Sequence, residues 1–199
     1  MGNLKSVQKA FQKIGCDVII SNKHNEIKDA DKIVLPGVGA FKDGMKHLQE
    51  LGLIELLYEE VVVKKKLFLG ICLGMQLLAT KSYENGETEG LGWIEATVSK
   101  FDFLKDRQLN RTHVGWNNIS HKKSNSLYNN VSDNSDFYFV HSYHFQTEEN
   151  IVLTTTEYSL EFISSINKEN IYACQFHPEK SQKVGLKLLE NFVNLKSEL

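Results

Sequence analysis

The hydrophobic pattern of the first eighty residues switches repeatedly between helical and strand spacing. A first amphipathic helix is predicted by the apolar positions Leu4, Val7, Phe11 and Ile14. Asn3 is its candidate N-cap, and Gly15 is its candidate stop. Short apolar runs predict three strands, at residues 17–20, 32–35 and 67–69. Further helices are predicted at residues 42–50, 54–63 and 75–79, the first two separated at Gly52.

Beyond residue 84 the pattern changes to short alternating segments separated by turn residues. These predict strands at 93–101, 118–120, 137–140, 151–156, 162–166 and 171–176, with a hairpin turn at 167–170 and a last helix at 181–195. The whole pattern predicts an α/β fold. We expect a doubly wound, mixed and mainly parallel sheet with flanking helices and an antiparallel extension. The length and the lack of a linker predict a single domain, residues 1–199.

The stretch 67–79, L-F-L-G-I-C-L-G-M-Q-L-L-A, joins a predicted strand to a predicted helix. Cys72 lies at the bend between Gly70 and Gly74, which is the cysteine version of a nucleophile elbow. This geometry is expected to expose the sulfur, and the helix N-terminus favours the reactive thiolate. The alternative is a small, buried and inert cysteine.

A second motif, His177-Pro178-Glu179, follows the predicted strand 171–176. His177 is a candidate base for Cys72, and Glu179 is a candidate partner that orients the imidazole. Two other spacings, Cys174-x-x-His177 and His141-x-x-His144, resemble metal-ligand pairs. Because residues three apart on a strand point to opposite faces, we expect no metal site and interpret Cys174 as a buried strand residue.

Composition limits the class of protein. The chain is 41% hydrophobic and 24% charged with a net charge of −2, which predicts no binding to nucleic acid or to membranes. No membrane-span or signal-peptide pattern occurs, so a cytoplasmic location is expected. The three cysteines are widely spaced and odd in number, which disfavours a disulfide framework or a zinc ribbon.

The motifs G-I-C-L-G-M-Q-L-L and Q-F-H-P-E-K-S resemble those of class I, triad-type glutamine amidotransferases, and P-G-V-G-A-F is similar to the oxyanion strand of that family. More narrowly, G-N-L-K-S-V, H-V-G-W-N and F-Y-F-V-H-S-Y are similar to glutaminase subunits of imidazole glycerol phosphate synthases. The resemblance covers almost the whole chain. It implies a flavodoxin-like, three-layer fold.

The resemblance also implies a mechanism without cofactor or metal. Cys72 would attack glutamine, with His177 and Glu179 completing the triad. The substrate would be held near Gly39, Gln76, Ser142 and Tyr143. The oxyanion would be stabilised by the N–H of Leu73 and a backbone N–H of the loop Gly37, Val38 and Gly39. The implied partner is a (β/α)₈-barrel synthase subunit, which takes the ammonia into histidine biosynthesis.

Two departures from the family pattern carry expectations of their own. Family members have an apolar strand before the segment that matches Gly2-Asn3, and here Met1 stands there, so we expect the sheet to lack that strand. Residues 90–94 and 141–144 look more like paralogues found with surface-polysaccharide genes. A glutaminase that supplies a sugar amidotransferase is therefore an alternative.

Two alternatives come from other functional classes. A cysteine peptidase with the same elbow would cleave peptides, whereas the His177-Pro178-Glu179 tripeptide and Gln76 favour an amidotransferase. A non-catalytic regulatory module is disfavoured by the intact Cys72, His177 and Glu179.

Overall fold

The computed structural model describes residues 3–101 and 112–196. Met1 and Gly2, next to which the absent first strand was expected, lie outside this part of the chain. The α-helices are α1 (Leu4–Lys13), α2 (His24–Asp29), α3 (Phe41–Glu50), α4 (Leu53–Leu57), α5 (Leu73–Gln76) and α6 (Gln182–Asn194). A π-helix, Tyr58–Val63, continues α4, and two 3₁₀ turns span Ser126–Tyr128 and Pro178–Lys180.

The described strands number twelve. They are β1 (Lys32–Gly37), β2 (Leu67–Cys72), β3 (Ala79–Ser82), β4 (Thr88–Glu89), β5 (Ile94–Lys100), β6 (His113–Asn118), β7 (Ser120–His121), β8 (Asp136–His141), β9 (Tyr143–Gln146), β10 (Val152–Tyr158), β11 (Leu160–Lys168) and β12 (Ile171–Cys174).

The main sheet has the strand order β1-β2-β12-β11-β10-β7. Strands β1, β2 and β12 are parallel, whereas β12, β11, β10 and β7 pair antiparallel. Two smaller sheets have the orders β4-β3-β5-β9 and β6-β8. The prediction of a mixed sheet with an antiparallel extension is confirmed, as is the hairpin between β11 and β12, where Lys168 pairs with Ile171.

Each face of the main sheet packs against its own hydrophobic core, which gives three layers. Along β2, Leu69 and Ile71 point to the core that contains side chains of α1 and α6. Phe68, which precedes Leu69 and faces the other side of the sheet, points to the core that contains side chains of α3 and α4. Every residue of β2 is buried, as expected for a parallel strand covered on both faces. Within the described residues no helix combines the length and apolar character needed to cross a bilayer.

Three local predictions are wrong. Residues 17–20 are not a strand; Ile19 and Ile20 are 59% and 43% exposed, and β1 pairs only with β2 among the described strands. Without a hydrogen-bonding neighbour, strand propensity alone does not form a ladder. The helix predicted at 75–79 is the single turn α5, and Ala79 begins β3. The strand predicted at 118–120 is divided at Ile119 between β6 and β7.

Candidate active site

Cys72 occupies a strained bend between β2 and α5. Its φ of 54° and ψ of −108° are unusual for a residue with a side chain. A Cβ atom at Gly74 would lie 1.8 Å from the Leu35 carbonyl oxygen, and one at Gly70 would lie 2.7 Å from the Gly74 carbonyl oxygen. Because no other residue fits at these two positions, the predicted role of the glycines in the elbow is confirmed.

The expected exposure of the sulfur is wrong, because Cys72 is only 6% exposed. The Cys72 thiol lies 3.9 Å from the Val140 carbonyl oxygen, to which it donates a weak hydrogen bond. Strand β8, which carries Val140, was not expected to pass over the elbow. The sulfur is thus held beneath a backbone segment rather than at an open surface.

His177 and Glu179 follow β12, the strand parallel to β2 on the side opposite β1. The carboxyl ends of parallel neighbours meet at one edge of the sheet, which brings His177 to the edge where Cys72 lies. The Nδ1 atom of His177 lies 2.7 Å from Glu179 Oε1. Because a carboxylate accepts, Nδ1 carries the proton, and Nε2 is buried with no hydrogen-bond partner among the described residues. Nε2 is therefore the atom available to Cys72.

The charge state of His177 is set by its two neighbours. Burial by itself lowers the pKa of this imidazole. Its interactions with Cys72 and then with Glu179 outweigh burial and raise the pKa of His177 to about 9. At neutral pH the charged imidazolium is therefore favoured, as a thiolate–imidazolium pair requires.

The backbone of His177 is bound to β8 directly through its N–H and indirectly, through Ser181, at its carbonyl oxygen. Its N–H donates to the Tyr138 carbonyl oxygen at 2.8 Å. Its carbonyl oxygen accepts from Ser181 Oγ at 2.6 Å, and the same Oγ accepts from the Tyr138 N–H at 3.0 Å. Ser181 and His177 are both fully buried. His177 is thereby held against the strand that covers the elbow.

The loop Gly37, Val38 and Gly39 lies directly beside the elbow. In the parallel pairing of β1 with β2, Gly37 is opposite Cys72. A Cβ atom at Gly37 would lie 3.0 Å from the Leu73 Cβ atom, so the loop and the start of α5 are in contact. Gly39 has a φ of +106°, a value that favours glycine. The structure therefore brings Gly37 and Leu73, two of the predicted oxyanion residues, into contact at the elbow.

The predicted substrate-binding residues are arranged in two ways. Gln76 is 6% exposed, and its Nε2 donates to the Tyr143 carbonyl oxygen at 3.0 Å. The backbone of Tyr143 is thus connected to the elbow helix α5. The pKa of the Tyr143 phenol is raised by burial and by the nearby charge of Glu84. Ser142 shares a hydrogen bond of 2.7 Å with the Thr112 hydroxyl. Within the described part of the chain, no hydrogen bond joins Ser142 to the elbow residues.

The two spacings considered as metal ligands are used differently. The Cys174 thiol is fully buried and donates to the Phe176 carbonyl oxygen, as expected for a strand residue in the core. His141 Nε2 lies 3.1 Å from His113 Nδ1, whereas the His144 ring stacks on Phe101. No group of three or more potential ligands that could hold a metal ion is found among residues 3–101 and 112–196.

Four residues at the site were not assigned there from the sequence. Gln175 Nε2 donates to Cys72 Sγ, and Asn3 Nδ2 donates to Glu179 Oε1. Asn3 occupies the N-cap position of α1, as predicted, but its side chain makes no cap hydrogen bond there. The others are Ser181, described above, and Glu84, which accepts from the Phe41 N–H at 2.6 Å and so caps α3 after the glycine loop. Gln175 and Ser181 lie within the motif Q-F-H-P-E-K-S and Asn3 within G-N-L-K-S-V, but no pattern in the sequence assigned any of them to the site.

Known proteins match nearly the whole chain in sequence. A Campylobacter jejuni protein named imidazole glycerol phosphate synthase subunit HisH 1 is 50% identical over 98% of this chain and 96% of its own length. A Methanococcus maripaludis protein named imidazole glycerol phosphate synthase subunit HisH 2 is 49% identical over 97% of this chain and 95% of its own length.

Among solved structures, a glutamine amidotransferase from Thermotoga maritima matches with a TM-score of 0.61 and 18% identity, over 94% of this chain and 76% of that chain. This likeness shows the fold. The sequence profile of the class I glutamine amidotransferases matches residues 1–195. The chain therefore belongs to the class I glutamine amidotransferase family.

Proposed function

We propose that the chain is the glutaminase subunit of an imidazole glycerol phosphate synthase, which hydrolyses glutamine to glutamate and ammonia in the cytoplasm. The observation that carries the proposal is the placement of Cys72 and the His177–Glu179 pair at adjacent ends of parallel strands. The names of relatives at 50% and 49% identity over nearly the full chain support the assignment to this synthase.

In the first step the Cys72 thiolate attacks the side-chain amide carbon of glutamine. Negative charge then develops on the amide oxygen. The N–H of Leu73 and a backbone N–H of the loop Gly37, Val38 and Gly39 are the donors proposed to receive it, because the loop and the helix start are in contact. One such donor typically lowers the barrier by about 3 kcal/mol.

In the second step the carbon–nitrogen bond breaks and His177 Nε2 protonates the departing nitrogen, so that ammonia leaves. The raised pKa of His177, about 9, keeps this proton available at neutral pH. The glutamyl thioester left on Cys72 is then hydrolysed by a water molecule that gives its proton to His177. Gln76 and Tyr143, which are joined through a hydrogen bond, are proposed to position the substrate.

The ammonia requires a partner, because in water it is protonated and lost as a nucleophile. The proposed docking surface is a ribbon on β6 and β8 that consists of Val114, Trp116 and Tyr138. In this ribbon Val114 is 58% exposed and Trp116 is 48% exposed. The Tyr138 ring contacts Trp116 edge-on, and Lys180 Nζ lies 5.5 Å from the centre of the Tyr138 ring. Since the Tyr138 carbonyl oxygen binds the His177 N–H, the ribbon borders the catalytic base directly.

The proposed occupant of this ribbon is a (β/α)₈-barrel synthase subunit, which takes the ammonia into a phosphoribosyl intermediate. The products are imidazole glycerol phosphate and an aminoimidazole carboxamide ribotide. The rival partner is a sugar amidotransferase of surface-polysaccharide synthesis. The names of the relatives favour the barrel subunit.

Copurification with each candidate partner, combined with an ammonia assay on glutamine, tests the proposal. We expect the barrel subunit to bind and to receive ammonia in its product, and Trp116→Asp to abolish binding. Tyr58→Asp is the matched control, because Tyr58 is a 50% exposed aromatic residue on the π-helix. Binding of the sugar amidotransferase alone would assign the other pathway, and peptide cleavage without ammonia release would contradict the glutaminase assignment.

A further inference from the structure

Gln175 is a fully buried polar side chain that lies beside the nucleophile. Strand β12 runs parallel to β2 with Cys174 opposite Ile71. Gln175 follows Cys174 directly after the end of β12, and Cys72 follows Ile71 as the last residue of β2. The register therefore places Gln175 and Cys72 side by side. Gln175 Nε2 lies 3.6 Å from Cys72 Sγ, which is a normal distance for an N–H···S hydrogen bond.

The orientation of the Gln175 amide is fixed by a chain of hydrogen bonds. The Tyr143 carbonyl oxygen can only accept, so the group that faces it on Gln76 must be Nε2. The same Nε2 lies 3.0 Å from Gln175, whose Oε1 must therefore be the acceptor. It follows that the nitrogen of Gln175, rather than its oxygen, faces the sulfur.

The Tyr143 carbonyl oxygen is itself anchored from the other side. It accepts from His141 Nδ1 at 2.8 Å, so His141 Nε2 is an acceptor for the Nδ1–H of His113. The Asn117 amide then donates to His113 Nε2 at 3.2 Å. This directed series runs from β6 to the elbow, and it leaves the Gln175 amide no alternative orientation.

A thiolate at Cys72 needs such a donor for two reasons. Helix α5 is a single turn, so its macrodipole is far smaller than that of the longer helix predicted from the sequence. In addition, the Val140 carbonyl oxygen accepts from the thiol and repels a thiolate. A buried anion without a donor is costly, and the amide N–H of Gln175 offsets that cost.

We propose that Gln175 is a catalytic residue that stabilises the Cys72 thiolate through the hydrogen bond from Nε2 to Sγ. The inference rests on the proposed glutaminase function for its role in turnover. The bond acts before attack, when Sγ holds the charge. It acts again in thioester hydrolysis, when the carbon–sulfur bond breaks and its electron pair returns to Sγ.

Alkylation of Cys72 by iodoacetamide at a series of pH values, without glutamine, tests this proposal separately from turnover. Peptide mapping by mass spectrometry distinguishes Cys72 from Cys16 and Cys174. Gln175→Met removes the donor and nearly preserves the volume of the side chain. We expect the midpoint of the alkylation profile to move about one pH unit higher, and alkylation near neutral pH to slow about tenfold.

Gln175→Glu keeps an acceptor for Gln76 but places a negative charge beside the sulfur, so we expect a larger shift in the same direction. Gln49→Met, at an exposed position of α3, is the matched control and should leave the profile unchanged. Melting temperatures of all variants show which are folded. If Gln175→Met unfolds, the nearly isosteric Gln175→Glu decides.

An unchanged alkylation profile in a folded variant overturns the proposal, because a merely structural glutamine would not change thiolate reactivity. We also expect kcat for glutamine to fall about tenfold with little change in KM. If the profile shifts while the native chain releases no ammonia from glutamine, the hydrogen-bond inference holds and the proposed glutaminase function fails.

Discussion

Buried histidines in two regions of the molecule differ in charge: at neutral pH the imidazole is positively charged in one region and neutral in the other. At the elbow, interactions with Cys72 and Glu179 overcome burial and raise the pKa of His177 to about 9. On β6, β8 and β9, burial lowers the pKa of His113 to about 4, that of His141 to about 3 and that of His144 to about 4. Burial therefore acts in the same direction in both regions, and the neighbours decide the outcome.

The groups around His177 and those around His113 differ in charge. His113 is stacked between the rings of Phe139 and Tyr158, with centroids 4.8 and 4.1 Å away, and its hydrogen bonds go to His141 and Asn117. None of these partners carries a charge that would favour an imidazolium. His113 on β6 and His141 on β8 can therefore serve as neutral members of a fixed hydrogen-bond series, whereas His177 can carry and transfer a proton.

Removal of the triad members should have the largest effect on activity. We expect Cys72→Ala and His177→Ala each to lower ammonia release from glutamine by about 10³-fold or more, because each removes a group that the proposed chemistry requires. Partner binding should remain, which a pull-down assay checks. His144→Phe, in the neutral region, is the matched control and should retain most activity. Comparable losses in His144→Phe and His177→Ala would remove the distinction between the two regions.

Glu179→Gln should have an intermediate effect, because it removes the charge and keeps an acceptor. Glu179 Oε1 receives both His177 Nδ1 and Asn3 Nδ2, so the amide of a glutamine would direct its oxygen there and preserve the tautomer. We expect a loss of about 10²-fold, smaller than that of His177→Ala.

The pH profile gives a second measurement on the same variant. In the native chain we expect turnover to fall as pH rises through about 9, where His177 loses its proton. Without the Glu179 charge the pKa of His177 decreases, so the descending limb should move to lower pH. A descending limb at the same pH in Glu179→Gln would mean that another group controls it.

The sequence was sufficient to locate the candidate residues because the two motifs lie at the ends of strands that are parallel neighbours. Cys72, His177 and Glu179 could be assigned from residue type, spacing and strand ends alone. Gln175 could not, because its contact with the sulfur depends on the register between β2 and β12, and that register exists only in the assembled sheet. Asn3 likewise reaches Glu179 from the opposite end of the chain.

The errors in the fold have the same origin. Residues 17–20 have the composition of a strand but no paired neighbour among the described strands, and the apolar residues at 77–79 suit a helix or a strand equally well. The exposed sulfur expected at Cys72 is covered by β8, which is distant in sequence. Local pattern therefore located the elbow and the strand ends more reliably than it predicted what packs against them.

The smallest expected effect concerns stability in acid and tests the neutral region directly. His144 is 4% exposed, its Nδ1 has no hydrogen-bond partner among the described residues, and its ring stacks on Phe101 with centroids 4.8 Å apart. Its pKa of about 4 lies below the ordinary value of 6.5. The stability that this neutral imidazole contributes is thus fully present above pH 6.5 and is lost progressively as pH falls through about 4. At about pH 5 the loss in the free energy of unfolding is about 2 kcal/mol.

His144→Phe keeps a stacked ring that cannot be protonated. Between about pH 7 and about pH 5, its melting temperature should therefore decrease less than that of the native chain, by about 4–8 °C. His47→Phe, at an exposed position of α3, is the control and should follow the native chain. An equal decrease in all three proteins would show that His144 is not held neutral by burial, and the contrast with His177 would then rest on His113 and His141 alone.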